Sequence, residues 1–259
     1  MDRDPLDDAR ALVRERYPQA VWAVLAGSVL TAHRTAGSDL DIVVVLPPGD
    51  PLVPRRESLV FRGWPVELFV HDDETLDWWL AKSRLQRKPT LHRMVCGTPI
   101  VGDPADRREA CRAILDAGPE PMAPAQLEAA RYGLTDLLDD LVHATDPGER
   151  HVIAATLWTN AAHGALVAAN RWDGTGKWLL RELRGPGENL DADFGADLAD
   201  RWLAAQHDLA AIEAFAREVL DRLGGPLFDG YLAVAPRPEA TEPEATTPEA
   251  QSPDVTTPA

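Results

Sequence analysis

A chain of 259 residues, 45% hydrophobic and 26% charged, can bury a real core, either as one substantial domain or as two modest ones sharing a cleft. Its formal net charge of −16 argues against the broad basic face that holds nucleic acid, and is compatible with a small cationic ligand. Two cysteines, Cys96 and Cys111, give neither a disulfide framework nor a metal-ligand spacing, no apolar run approaches bilayer length, and MDRDPLDDAR lacks the layout of an export signal, so a cytoplasmic location off the membrane is expected.

In chain order, Asp4-Pro5 followed by LDDARALVRERY reads as a capped helix with an apolar face of Leu6, Ala9, Leu12, Val13 and Tyr17, stopped by Pro18. Val21 to Ala26 has the length and bulk of a buried strand and is broken by Gly27-Ser28. A second, β-branched run spans Asp39 to Leu46 and ends at Pro47-Pro48-Gly49. Ser58 to His71 predicts two strands joined by a tight turn at Arg62-Gly63 or Gly63-Trp64. A helix over Glu74 to Leu85 follows, with Asp72 or Asp73 as its cap, Leu76, Trp79 and Leu80 inward and Trp78 at its exposed flank. Thr90 to Val95 gives a short helix, Gly97 to Pro104 a short strand and turn, and Ala105 to Leu115 a closing helix. Gly118 to Pro124, rich in Pro and Gly, is the expected boundary between a first domain (1–118) and a helical one (124–232).

Beyond that boundary every segment has a helical period. Gln126 to His143 and Glu149 to Asn170 are the first two helices, the second apolar nearly all round and therefore expected in the middle of a bundle. Lys177 to Leu183 is a third, and a fourth is expected to run unbroken from Ala192 to Leu223, completing an up-and-down four-helix arrangement. Residues 235–259 repeat Pro with Thr and Glu and cannot bury enough surface to order themselves, which predicts a disordered tail. The expected class is α+β: a small mixed sheet with flanking helices, then the helical bundle.

The residues that carry chemistry cluster around the first two strands. Alternation along a strand sends Asp39 and Asp41 to one face and Leu40, Ile42 and Val44 to the other. Two carboxylates roughly 6.6–6.8 Å apart along a strand can converge on one divalent cation, and their proximity is costly unless a cation or a proton relieves it. Glu67 is the one ionisable residue in Val66-Glu67-Leu68-Phe69-Val70, where a half-buried strand normally carries an apolar or weakly polar side chain. Lys177 stands at a helix start, where a cation gains nothing from the helix dipole. Arg131 is a weaker candidate of the same kind. Trp158, Trp172 and Trp178 suit either a ligand pocket or the core, and His151 and His163 are expected in the core or at an interface.

Gly27-Ser28, about ten residues, then Ser38-Asp39-Leu40-Asp41 resembles the signature of the polymerase-β-like nucleotidyltransferase superfamily, and within it the bacterial aminoglycoside-type nucleotidyltransferases. The match covers roughly the first hundred residues well and the helical remainder loosely. The resemblance implies that Asp39, Asp41 and Glu67 hold two Mg²⁺ ions, with Glu67 either a metal ligand or the general base. It implies that Gly27 and Ser28 grip the phosphates of ATP, with Ser38 a turn residue, and that Lys177 supplies a cation to the triphosphate. The implied activity is transfer of AMP from ATP to a hydroxyl of a small, cationic, aminoglycoside-like acceptor, with release of pyrophosphate. The alternatives are an antitoxin-like protein AMP-transferase, whose relatives are much shorter, and a catalytically silent nucleotide-binding or interaction protein of the same fold.

Overall fold

A computed structural model describes residues 4–185 and 198–234. The elements are α1 (Pro5–Arg16), β1 (Trp22–Ala26), β2 (Leu40–Val45), β3 (Arg55–Phe61), β4 (Trp64–His71), α2 (Asp73–Leu85), α3 (Thr90–Val95), β5 (Thr98–Val101), α4 (Ala105–Ala117), α5 (Pro124–His143), α6 (Pro147–Ala168), α7 (Lys177–Arg184), α8 (Leu198–Ala205) and α9 (Leu209–Arg222). The fold is α+β. Its mixed five-stranded sheet has the order β3-β4-β2-β1-β5, with β2 and β4 parallel and the other three pairs antiparallel.

Both faces of the central strands are covered, which is why β1 and β2 read as continuous apolar runs rather than alternating ones. On one face Ala9, Leu12, Val13 and Tyr17 of α1 pack with Leu25, Leu40, Ile42, Val44 and Leu68. On the other, Val24, Val43 and Val45 lie under Leu76 and Leu80 of α2 and Met94 and Val95 of α3. Local chemistry sets the element ends. Asp4 caps α1 by accepting from the Leu6 amide at 2.9 Å, with Pro5 at the first helical position. Asp72 caps α2 in a reciprocal box with Thr75. The β3–β4 turn is made by Arg62 (φ 49°) and Gly63 (φ 84°), the double positive-φ geometry that suits a two-residue hairpin loop. β3 begins at Arg55, three residues before the expected start, because the pairing with β4 continues to Arg55 opposite Val70.

The helical part is built on Leu134 and Leu138 of α5, Leu157 and Leu166 of α6 and Phe215 and Val219 of α9. One expectation is corrected here. The unbroken helix to Leu223 is two helices, because Asp208 accepts from the Ala210 and Ala211 amides and so starts α9 afresh. α6 packs against α5, α7, α8 and α9, as expected of a helix in the middle of the bundle, and only its start, with Val152 69% exposed, lies outside the packed part. Residues 192–197 of the expected fourth helix and the tail at 235–259 lie outside the described residues. No described helix is long and apolar enough to cross a membrane.

Candidate functional site

Asp41 on β2 and Glu67 on β4 are direct register partners across the parallel pair, and Asp39 immediately precedes β2. Alternation puts all three on the sheet face of Val43 and Val45, and each offers a carboxylate oxygen within 4.8 Å of the other two. All three are half-buried. The Asp41 carboxyl is pushed up to about 6, first by burial and then by the negative charges of Asp39 and Glu67, while Lys177 and Arg56 act in the opposite sense. Three acids gathered this closely form a site of unbalanced negative charge.

β1 delivers the glycine turn to the same place. Ala26, its last residue, pairs with Asp41, so Gly27 lies directly against that carboxylate. A Cβ at position 27 would stand 2.2 Å from Asp41 Oδ2, and the backbone there has φ +86°, a conformation that only glycine adopts without strain. The next three residues, Ser28–Leu30, form a single 3-10 turn. Ser28 and Ser38 share a hydrogen bond between their hydroxyls at 3.0 Å, and Ser38 Oγ also accepts from the Thr35 amide at 2.9 Å. Ser38 is thus a buried turn residue that ties the two halves of the sequence motif together.

The helical part faces the cluster with Lys177, the first residue of α7, whose charge acts on Asp41. The loop before it is firmly anchored. Asp173 accepts from Lys88 and from the Gly174 amide, and His163 Nδ1 lies 2.6 Å from its Oδ1. Burial alone would raise the Asp173 carboxyl, but these hydrogen bonds from His163 and Lys88 hold it below the ordinary value. Arg93 of α3 forms an ion pair with Glu182 of α7 and lies over the Trp178 ring, 5.2 Å from its centroid.

Other candidates go to structure. Trp172 is buried and donates to the Leu115 carbonyl at 3.1 Å. Trp158 stacks on Trp202 at 4.0 Å, each indole donating to the other's main-chain carbonyl. Arg131 binds the carbonyls of Gly224 and Gly225 at the end of α9. His163 sits at the junction with Asp173, whereas His151 is exposed on α6, contrary to the expectation of a core or interface position. Arg56, which sequence reasoning missed, forms an ion pair with Glu67. Its sequence signal is the period-2 alternation of Arg56, Ser58 and Val60, which extends the strand to the N-terminal side of Ser58.

The site fits a hard divalent cation. Its donors are all carboxylate oxygens, and Gly27, having no side chain, leaves the Asp41 carboxylate room to sit against the turn. No family model matches this chain. A search of curated proteins finds no match either. Among solved structures, a nucleotidyltransferase-like protein from Exiguobacterium sibiricum 255-15 is similar over 85% of this chain and 73% of its own, at 15% identity and a TM-score of 0.43.

Proposed function

We propose that the protein is a metal-dependent nucleotidyltransferase that moves AMP from ATP to a hydroxyl of a small acceptor. The observation that carries the reading is the convergence of Asp39, Asp41 and Glu67 from two parallel strands onto one point beside the Gly27 turn. Clustered carboxylates raise the energy of a metal-free protein, and a site of this kind makes sense where cations are to be held. Two Mg²⁺ ions held by Asp39, Asp41 and Glu67 would neutralise the triphosphate and steady the attacking and leaving oxygens.

The chain's own groups fit the remaining tasks. The amides that follow Gly27 and the Ser28 hydroxyl would donate to phosphate oxygens, as glycine-rich turns do. Lys177 approaches from the helical side, with a positive charge suited to the departing pyrophosphate. In the step itself, the acceptor oxygen bonds to the α-phosphorus as the bond to the bridging oxygen of the β-phosphate breaks. Pyrophosphate leaves, and the hydroxyl proton passes to Glu67 or to solvent. An aminoglycoside is the acceptor class proposed, on the sequence resemblance and on the net charge of −16. On this reading the cleft lies between a catalytic domain at 1–118 and a helical domain at 124–232.

The test is incubation of the purified protein with Mg·ATP and a panel of aminoglycosides, read as pyrophosphate release and as an acceptor mass gain of one AMP. Asp41→Asn is expected to fold and to lose about a thousandfold in turnover, the scale of removing a group that stabilises charge in the transition state. Unchanged turnover in that variant would remove Asp41 from the mechanism.

A further inference from the structure

Glu67 already has a partner of opposite charge within its own sheet. Arg56 Nη2 donates to Glu67 Oε2, and the pairing follows from the register of the hairpin. Ser58 lies opposite Glu67 and Arg56 opposite Phe69, so Arg56 and Glu67 occupy diagonal positions on one sheet face, within reach of each other's long side chains. The guanidinium also rests over the Phe69 ring, 4.9 Å from its centroid, which fixes its approach to the carboxylate. Its charge reaches Asp41 as well.

A guanidinium and a divalent cation compete for the negative charge of one carboxylate, and each repels the other across a few ångströms. We propose that Arg56 is the built-in counter-ion of the carboxylate cluster, holding Glu67 until a divalent cation engages it and thereby setting the affinity of that position. Arg56 is a positioning residue in this role, acting on the cation through Glu67. Two features suit it to leave. Its side chain is 57% exposed, so there is solvent to receive it, and an exposed ion pair is worth little, so displacement lowers cation affinity by no more than about fivefold. The inference rests on the reading of Asp39, Asp41 and Glu67 as a cation-holding set.

The test is a Mn²⁺ titration of the full chain by calorimetry, without nucleotide, on the wild type, Arg56→Gln, Arg56→Lys, Glu67→Gln and the double variant Arg56→Gln/Glu67→Gln. Arg56→Gln is expected to bind Mn²⁺ about threefold to fivefold more tightly than the wild type. Arg56→Lys keeps the charge but loses the guanidinium fork, and should fall between the two. In the Glu67→Gln background the Arg56→Gln substitution should lose most of its effect on affinity, and an undiminished effect overturns the inference. Arg56→Gln binding Mn²⁺ no more tightly than the wild type, with an unchanged circular dichroism spectrum, overturns the inference and leaves the function standing. A wild-type protein that takes up no Mn²⁺ overturns both.

Discussion

At the scale of single residues, the site is decided by what stands next to Asp41. Gly27 is the tightest case, because its backbone has φ +86° and a methyl group there would overlap the Asp41 carboxylate. Gly27→Ala is therefore expected to cost about 1–3 kcal/mol in stability and to weaken Mn²⁺ binding as well. Urea unfolding and metal titration of the same preparation check both, and a variant that loses neither would show that the turn relaxes freely. The shared face of Asp39 and Asp41 is readable from alternation along one strand. Glu67 joins them in the sequence only through the family resemblance, because nothing local announces that β4 pairs with β2. Asp8 is a second such case. It is a buried acid on α1 that accepts from Arg62 at 2.9 Å and from the Trp64 indole at 3.0 Å. Nothing near it in sequence announces those partners, so helix periodicity alone places it among solvated residues.

At the scale of elements, α1 is bound to β3 by charge as well as by its apolar face. Glu57 of β3 accepts from Tyr17 and Arg16 at the end of α1 and from Arg55 at 2.8 Å. Burial by itself would raise the Glu57 carboxyl, but the hydrogen bonds from Tyr17, Arg55 and Arg16 outweigh it and hold the group down at about 2. The folded value lies below the ordinary 4.5, so the stability this group contributes is present above pH 4.5 and is lost as pH falls towards 2. Urea midpoints measured from pH 5 to pH 2 should fall more steeply for the wild type than for Glu57→Gln, which lacks that titration. Parallel curves would show that Glu57 carries no linkage. Most element positions follow from apolar period and from caps such as Asp4-Pro5 and Asp72. The break between α8 and α9 is harder to see, because Gln206-His207-Asp208 interrupts an Ala-rich helical pattern without Gly or Pro, and Asp208 acts as a cap through its own side chain.

At the scale of the molecule, the sheet and the helical part are joined by charged side chains close to the site. Glu182 of α7 is 7% exposed as a side chain and is paired with Arg93 of α3, on the same short helix as Lys177. Glu182→Ala leaves Arg93, whose side chain is 34% exposed, to be hydrated, and is expected to cost about 1–2 kcal/mol. It should also reduce the thermal stabilisation given by Mg·ATP, because α7 carries Lys177. Melting curves with and without Mg·ATP measure both effects, and full retention of the nucleotide shift would detach α7 from nucleotide binding. The sheet order adds a consequence for assembly. β4 slots between β3 and β2, so Glu67 reaches Asp41 only when the hairpin docks alongside β2, a pairing of distant segments. Arg56 travels on the same hairpin, already opposite in sign to Glu67. Glu67 is therefore carried to the two aspartates with a positive neighbour of its own, which offsets part of the repulsion a bare third carboxylate would meet on the way in.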